Sequence, residues 1–286
     1  MKRLVLVVLT GAAALAALVV IQGCGVLGGP PTGVAVSSGP DESDSTVVIS
    51  WTVPAEGGPD KYLIYFRAVM DSGYTFIGET TATSYNHNPH GMTGQYKVTA
   101  LFGQDTYDGA EKPGTIPIHG DAVTLFEINK DSSKCGYGWT RDSGKAGVFA
   151  MTDSANHASI DFYVSDLQDG YGHLQYPYSV VSPNKADSID SGAVGIVPSA
   201  DWRSNGFSNP LLDEQSPLLA YDSLPPPNYY IYTQIPQTPC YISCYTAGEA
   251  EKHYALIKVN SVDVASGQVQ VESWYQLVPG LRLIRH

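Results

Sequence analysis

The sequence predicts an all-β protein: an N-terminal β-sandwich followed by a second, irregular β-rich domain, behind a short apolar leader. Three observations carry this expectation. Apolar residues alternate with period two through short runs bounded by Gly, Pro, Asn and Asp, the patterning of strands and turns rather than of amphipathic helices. Gly (29), Pro (19) and Tyr (19) are abundant while charged residues make up only 15%, which disfavours helix bundles and coiled coils. Finally, 286 residues with 43% hydrophobic side chains suffice for one large or two ordinary packed domains and exclude full-length disorder. The balance of 28 acidic against 16 basic residues, a formal charge of −12, argues against broad binding to a phosphate backbone, so no nucleic-acid partner is expected.

The first element is the leader, residues 1–23. Lys2 and Arg3 form a short basic start, followed by an uncharged, mostly apolar run from Leu4 to Ile21. The run is long for a signal-peptide core and reaches the lower limit for a membrane span, so hydropathy leaves a cleaved signal peptide and an uncleaved anchor both open. Its ending, Ile21-Gln22-Gly23-Cys24, resembles a bacterial lipobox. That resemblance implies cleavage before Cys24, acyl chains on the new N-terminus and a stable membrane anchor. Loss of Lys2 and Arg3 would take the formal charge from −12 to −14. Gly25, standing where an Asp often marks inner-membrane retention in Gram-negative lipoproteins, implies outer-membrane sorting. Residues 24–29 then read as a lipidated tether.

The next unit spans residues 30–117. Its runs are Thr46–Trp51, Lys61–Arg67 after the turn cluster Glu56-Gly57-Gly58-Pro59-Asp60, Tyr74–Gly78, Thr83–Tyr85 and Gln95–Ala100. Alternation places Tyr62, Ile64 and Phe66 on one face of their strand and Leu63 and Tyr65 on the other. This unit resembles a fibronectin type III domain. Ser50-Trp51-Thr52-Val53-Pro54 matches the B strand with its Trp and terminal Pro, Tyr62-Leu63-Ile64-Tyr65 the C strand, and Tyr96-Lys97-Val98-Thr99-Ala100 the F strand, with Tyr96 as the tyrosine-corner residue. His90 and Met92 stand where the family usually has Leu and Pro, which weakens the expected corner contact. The resemblance implies a spacer or adhesion module, although no Arg-Gly-Asp occurs.

Residues 109–117 read as a last strand of this unit giving way to a linker, and residues 118–286 as the second domain. Candidate strands are Ala122–Ile128, Ala146–Met151, Ser159–Val164, Tyr229–Thr233, His253–Val259 and Gln268–Gln276, the last two forming a hairpin with Val269, Val271, Ser273 and Tyr275 on one face. The stretch from Gln175 to Asn228 lacks strong periodicity and is too long for an ordinary loop. The terminal pair of strands is similar to those of bacterial surface lipoproteins, with a distant likeness to haem-scavenging ones.

Chemistry-bearing patterns are sparse. With Cys24 assigned to lipid, Cys135, Cys240 and Cys244 remain, and export favours a disulfide. Cys240–Cys244 is the preferred pair if a turn brings the Cα atoms within ~7 Å. If residues 240–244 are extended, the Cα atoms lie ~13 Å apart and Cys135 pairs with one of them instead. His87 and His90 read as part of a polar loop, and Asp166, Asp169, Asp187 and Asp190 as solvated turn acids rather than a calcium site. No metal and no cofactor is predicted. Ser182-Pro183-Asn184-Lys185 matches Ser-x-x-Lys without companion motifs, so no catalytic residue is assigned. Aromatic residues crowd the irregular region, and Trp202, Tyr229 and Tyr230 form a candidate ligand surface, against the alternative that such rings cover a core. The resulting expectation is a non-catalytic cell-envelope lipoprotein with a spacer unit presenting a β domain to a protein or glycan partner. A surface protein capturing haem or another small molecule comes second, and an exported hydrolase third.

Overall fold

The computed structural model describes residues 28–39, 45–167, 175–190, 201–212, 230–236, 239–246 and 248–286. The leader, Cys24, Asp169 and Tyr229 lie outside them, as does the side chain of Asp187. Among the described residues no helix is long and apolar enough to cross a membrane. The architecture is all-β, in four antiparallel sheets that pair into two sandwiches.

In the first sandwich, strands β1 (Thr32–Ser38), β2 (Val47–Thr52) and β5 (Ser84–His87) form one sheet in the order β1-β2-β5. Strands β3 (Lys61–Ala68), β4 (Thr75–Thr80), β6 (Gly94–Phe102) and β7 (Asp105–Asp108) form the other in the order β4-β3-β6-β7. Three strands over four is the fibronectin type III arrangement. Period-two alternation builds it: Tyr62, Ile64, Phe66 and Ala68 of β3 are buried, and so are Tyr96, Val98, Ala100 and Phe102 of β6. Trp51 of β2 meets Tyr62 edge-on across the core, with ring centroids 5.0 Å apart.

The turn before β6 differs from the family in a specific way. Asn86 and His87, expected in a loop, extend β5 and pair with Val48 and Val47. His90 then adopts φ 52° and Gly91 φ 83°, in a turn held by Asn88 Oδ1, which accepts from the His90 N–H at 2.8 Å. The Tyr96 hydroxyl lies 2.9 Å from His87 Nδ1. The corner contact therefore goes to a side chain one strand away rather than to the turn backbone.

The second unit is a larger sandwich. Strands β9 (Gly136–Trp139), β10 (Ala146–Phe149), β11 (Phe162–Ser165), β12 (Tyr178–Val181) and β14 (Tyr232–Ile235) form a sheet in the order β10-β9-β11-β12-β14. Strands β8 (Ile118–Phe126), β13 (Gly206–Phe207), β15 (Cys240–Tyr245), β16 (Tyr254–Asp263) and β17 (Gln268–Tyr275) form its partner in the order β13-β15-β16-β17-β8. The core between them includes Trp139, Phe162, Val180, Ile242, Ile257, Val271 and Tyr275. Val269, Val271, Ser273 and Tyr275 share the buried face, as alternation predicts. Other boundaries shift. Residues Ser154–Ser159 form a 3-10 helix, because Asp153 accepts from the Ala155 N–H at its start, so β11 begins at Phe162. Tyr178–Val181 and Gly206–Phe207 are short strands inside the stretch without periodicity.

The outer face of the β10–β14 sheet is covered by a second apolar cluster that includes Cys135, Ile160, Tyr163, Ile189 and Trp202. The last ten residues cross back from the second sandwich and contact both units. Val278, Leu281 and Leu283 are buried in the core of the first, while Ile284 packs on Tyr254, Leu256 and Trp274 of the second. Residues 113–115 are also stitched down: the Tyr96 N–H donates to Pro113 O at 2.9 Å and the Thr115 N–H to Gly94 O at 2.8 Å.

Candidate functional site

The open edge of the second sandwich forms a cleft of about 620 Å³. At its head the two sheets touch: the Phe207 N–H donates to Tyr230 O at 2.9 Å, and the Tyr230 N–H to Phe207 O at 3.2 Å. Beyond that contact the walls diverge. One wall continues from β13 and pairs with β15, where the N–H groups of Leu211 and Tyr241 donate to each other's carbonyls at 2.9 and 2.8 Å. Pro210 sits within this wall and has no N–H to offer a further strand. The other wall is β14, paired to β12 through Val180↔Thr233 and Ser179↔Gln234. Gln234 Oε1 accepts from the N–H groups of Gln175 (2.8 Å) and Tyr176 (3.0 Å) and so fixes the segment entering β12.

The lining comprises Gln175, Tyr176, Asn209, Pro210, Tyr230, Ile231, Tyr232, Thr233 and Gln234. Among the described lining residues there are three tyrosines, three amide side chains and a threonine, and no Asp, Glu, Lys or Arg. Tyr230 is 46% exposed and Ile231 36% exposed at the rim. Such a surface can stack on a flat face and exchange neutral hydrogen bonds.

Of the predicted aromatic residues, Tyr230 lies in this cleft, Tyr229 lies outside the described residues, and Trp202 belongs elsewhere. Trp202 is buried against His157, ring centroids 3.8 Å apart, as part of the apolar cover over the β10–β14 sheet. The expectation of a ligand-facing Trp202 is therefore corrected: the indole fills a core. The preferred Cys240–Cys244 disulfide is corrected too. Both residues lie in β15 and face the same core, and four extended steps of ~3.3 Å separate their Cα atoms by ~13 Å, beyond the ~7 Å limit. Cys135, Cys240 and Cys244 are all buried free thiols.

The remaining candidates take structural places. His87 sits against Phe66 and Tyr96, and burial, with His90 nearby, lowers its pKa. Asp190 accepts from the hydroxyls of Tyr163 (2.6 Å) and Ser165 (2.7 Å). Ser182 donates to Asn184 Oδ1 at 2.7 Å and accepts from the Asn205 N–H at 2.9 Å. Among the described residues no group of three His, Cys, Asp or Glu side chains is placed to hold a metal ion.

A feature the sequence did not announce is the buried carboxylate of Asp161, fully shielded from solvent. It accepts from the Trp139 N–H (2.8 Å), Arg141 Nη1 (3.1 Å) and Nη2 (2.6 Å), Arg203 Nη1 (2.8 Å) and Asn205 Nδ2 (2.9 Å). Glu249 closes the network on Arg141 Nε at 2.7 Å. Its members are spread over more than a hundred positions, with no motif spacing that could have revealed them.

No family model matches the chain, and no curated protein does. Among solved structures, the chain is similar to "FN3tt mut" at 24% identity over 31% of this chain and 92% of that one, with a TM-score of 0.25. A Fn3-like protein from Clostridium thermocellum aligns at 23% identity over 29% and 86% of the two chains, with a TM-score of 0.26. A DUF4466 family protein from Parabacteroides merdae aligns at 10% identity over 81% and 91%, with a TM-score of 0.40.

Proposed function

We propose that the protein is a non-catalytic cell-envelope lipoprotein whose C-terminal unit binds a neutral glycan in the open-edge cleft. One observation supports this reading: the described residues lining the cleft are three tyrosines, Gln175, Asn209, Gln234, Thr233, Pro210 and Ile231, none of them charged. Sugar rings stack on phenol faces, and amides, which both donate and accept, match sugar hydroxyls in either role. Attachment rests on Ile21-Gln22-Gly23-Cys24. Gly28, four residues beyond Cys24, already packs beside Phe102 and Tyr107. A lipid on Cys24 would thus hold the first sandwich within about 14 Å of the bilayer.

A glycan array probed with the full-length protein tests the reading, with a haem absorbance titration beside it. Neutral oligosaccharides should bind to wild type and be lost in Tyr230→Ala at an unchanged melting temperature. A haem spectral shift with no glycan retained would replace the reading with small-molecule capture. For the anchor, palmitate labelling should disappear in Cys24→Ser, and labelling that persists in this variant would remove the lipoprotein assignment.

A further inference from the structure

The outer face of the β4-β3-β6-β7 sheet carries side chains that the fold does not use. Alternation along β3 turns Lys61, Leu63, Tyr65 and Arg67 away from the core, and along β6 it does the same for Gln95 and Lys97. Register makes neighbours of these residues. Tyr65 stands opposite both Phe76 and Lys97, and Arg67 stands opposite Gln95. The Phe76 and Tyr65 rings meet edge-on with centroids 5.7 Å apart. Lys97 Nζ sits 4.5 Å from the Tyr65 ring centre and 5.8 Å from that of Tyr74, and the Arg67 guanidinium lies 5.1 Å from the Tyr74 ring. Phe76, Tyr65 and Lys97 thus form one row across β4, β3 and β6, and Tyr74 lies over the adjoining Arg67 and Lys97.

The charges are unevenly matched. Lys97 reaches Asp108 at 3.0 Å, but Arg67 donates only to Gln95 Oε1, and none of the ion pairs among the described residues involves its guanidinium. The guanidinium is therefore open to an anionic ligand, although the chain as a whole carries a formal charge of −12. Phe76 adds an apolar ring that is 51% exposed beside it.

We propose that this face is a second ligand surface, separate from the cleft, and that its ligand is a carboxylate-bearing polysaccharide of the polyuronate type. Arg67 would take a sugar carboxylate through its planar two-pronged donor, with Lys97, which also holds Asp108, adding a point charge beside it. Phe76, Tyr65 and Tyr74 would stack on the sugar rings between them. A polymer that interleaves rings with carboxylates matches a face on which three rings and two cations lie within contact of one another. Two cations on an acidic chain are too few for a nucleic-acid backbone. Rings lying along a flat sheet also lack the deep apolar face by which a surface helix enters a bilayer.

The test is a binding titration of the full-length protein with polygalacturonate oligomers at low salt. Neutral dextran, poly-glutamate and phosphatidylglycerol vesicles form the comparison arms. Polygalacturonate should bind, weakening as salt rises, and dextran should not bind at this face. Arg67→Gln and Phe76→Ala should each weaken polygalacturonate binding at least tenfold at an unchanged melting temperature, and Arg67→Lys should weaken it less than Arg67→Gln. Tyr230→Ala should leave it intact, which separates this surface from the cleft. Equal binding by Arg67→Gln and wild type overturns the proposal, as does tighter binding to poly-glutamate or to the vesicles, since either reassigns the strip to a different partner.

Discussion

Asp161 shows what one buried residue does for this fold. Its carboxylate ties β9, the loop into β11, the segment before β13 and, through Arg141 and Arg203, Glu249 beyond β15. A buried ion pair adds little net stability when compared with a well-packed apolar substitute, but removing one partner leaves the others charged and unpaired. Asp161→Ala strands two guanidiniums against the single carboxylate of Glu249 and should cost about 3–5 kcal/mol. Urea denaturation followed by circular dichroism measures this, and a loss below about 1 kcal/mol would mean water satisfies the arginines. Glu127 makes the opposite case. Burial raises its pKa, repulsion from Asp166 and Asp190 adds to the rise, and hydrogen bonds from Asn129 oppose it. A carboxyl whose folded pKa lies above its unfolded value gives stability that is complete below the unfolded pKa and lost as pH climbs through the folded one. Glu127→Gln keeps an acceptor for the Asn129 N–H without the charge. Its stability relative to wild type should therefore increase between pH 4 and pH 7, and a pH-independent difference would count against this account.

At the scale of elements, β9 and β15 explain both what could be read from the sequence and what could not. β3, which alternates strictly, and β6 and β17, which alternate over their first halves, are legible because there each buries only one face. β9 reads Gly136-Tyr137-Gly138-Trp139 and is buried throughout, so it shows no alternation to detect. Its glycines answer to tertiary contacts: a Cβ on Gly138 would lie 1.9 Å from Ser159 O and 3.0 Å from the Asp161 N–H nitrogen, both backbone atoms. Gly138→Ala should accordingly lower the melting temperature, whereas Gly73→Ala, with open space around it, should not. Cysteine spacing misled in β15 because only backbone conformation distinguishes a closed loop from a strand. The cleft was half legible: aromatic crowding pointed to Tyr230, but the meeting of two strand edges at Phe207 and Tyr230 depends on pairing across the sheets. The strand assignment for β15 carries its own prediction. Burial pushes Cys135 and Cys240 up to about 12 and Cys244 well above its usual value. All three should resist a thiol reagent at pH 8 in the native protein and react in guanidinium without prior reduction. A need for reductant would show a disulfide after all.

For the whole molecule, the C-terminal ten residues decide whether the two sandwiches move independently. A spacer joined by one linker implies a hinge, but here the chain crosses back. Gln276 is buried at the crossing, where Nε2 donates to Thr115 O at 2.8 Å and to Leu283 O, and Oε1 accepts from the Val278 N–H at 3.0 Å. Thr93 Oγ1 donates to Arg285 O from the first sandwich, and the His286 ring stacks on Trp274 of the second at 3.7 Å. The first core is thus incomplete without residues that follow the second, so the two should unfold together. Leu281 is fully buried in that first core, and Leu281→Ala removes its side chain without touching any strand. Scanning calorimetry should give one transition for wild type. In Leu281→Ala the first sandwich should lose about 2–5 kcal/mol, so that its transition separates to lower temperature while the second sandwich keeps its own. Two transitions already present in wild type, neither of them moved by the substitution, would show that the strap rests on the first sandwich without stabilising it.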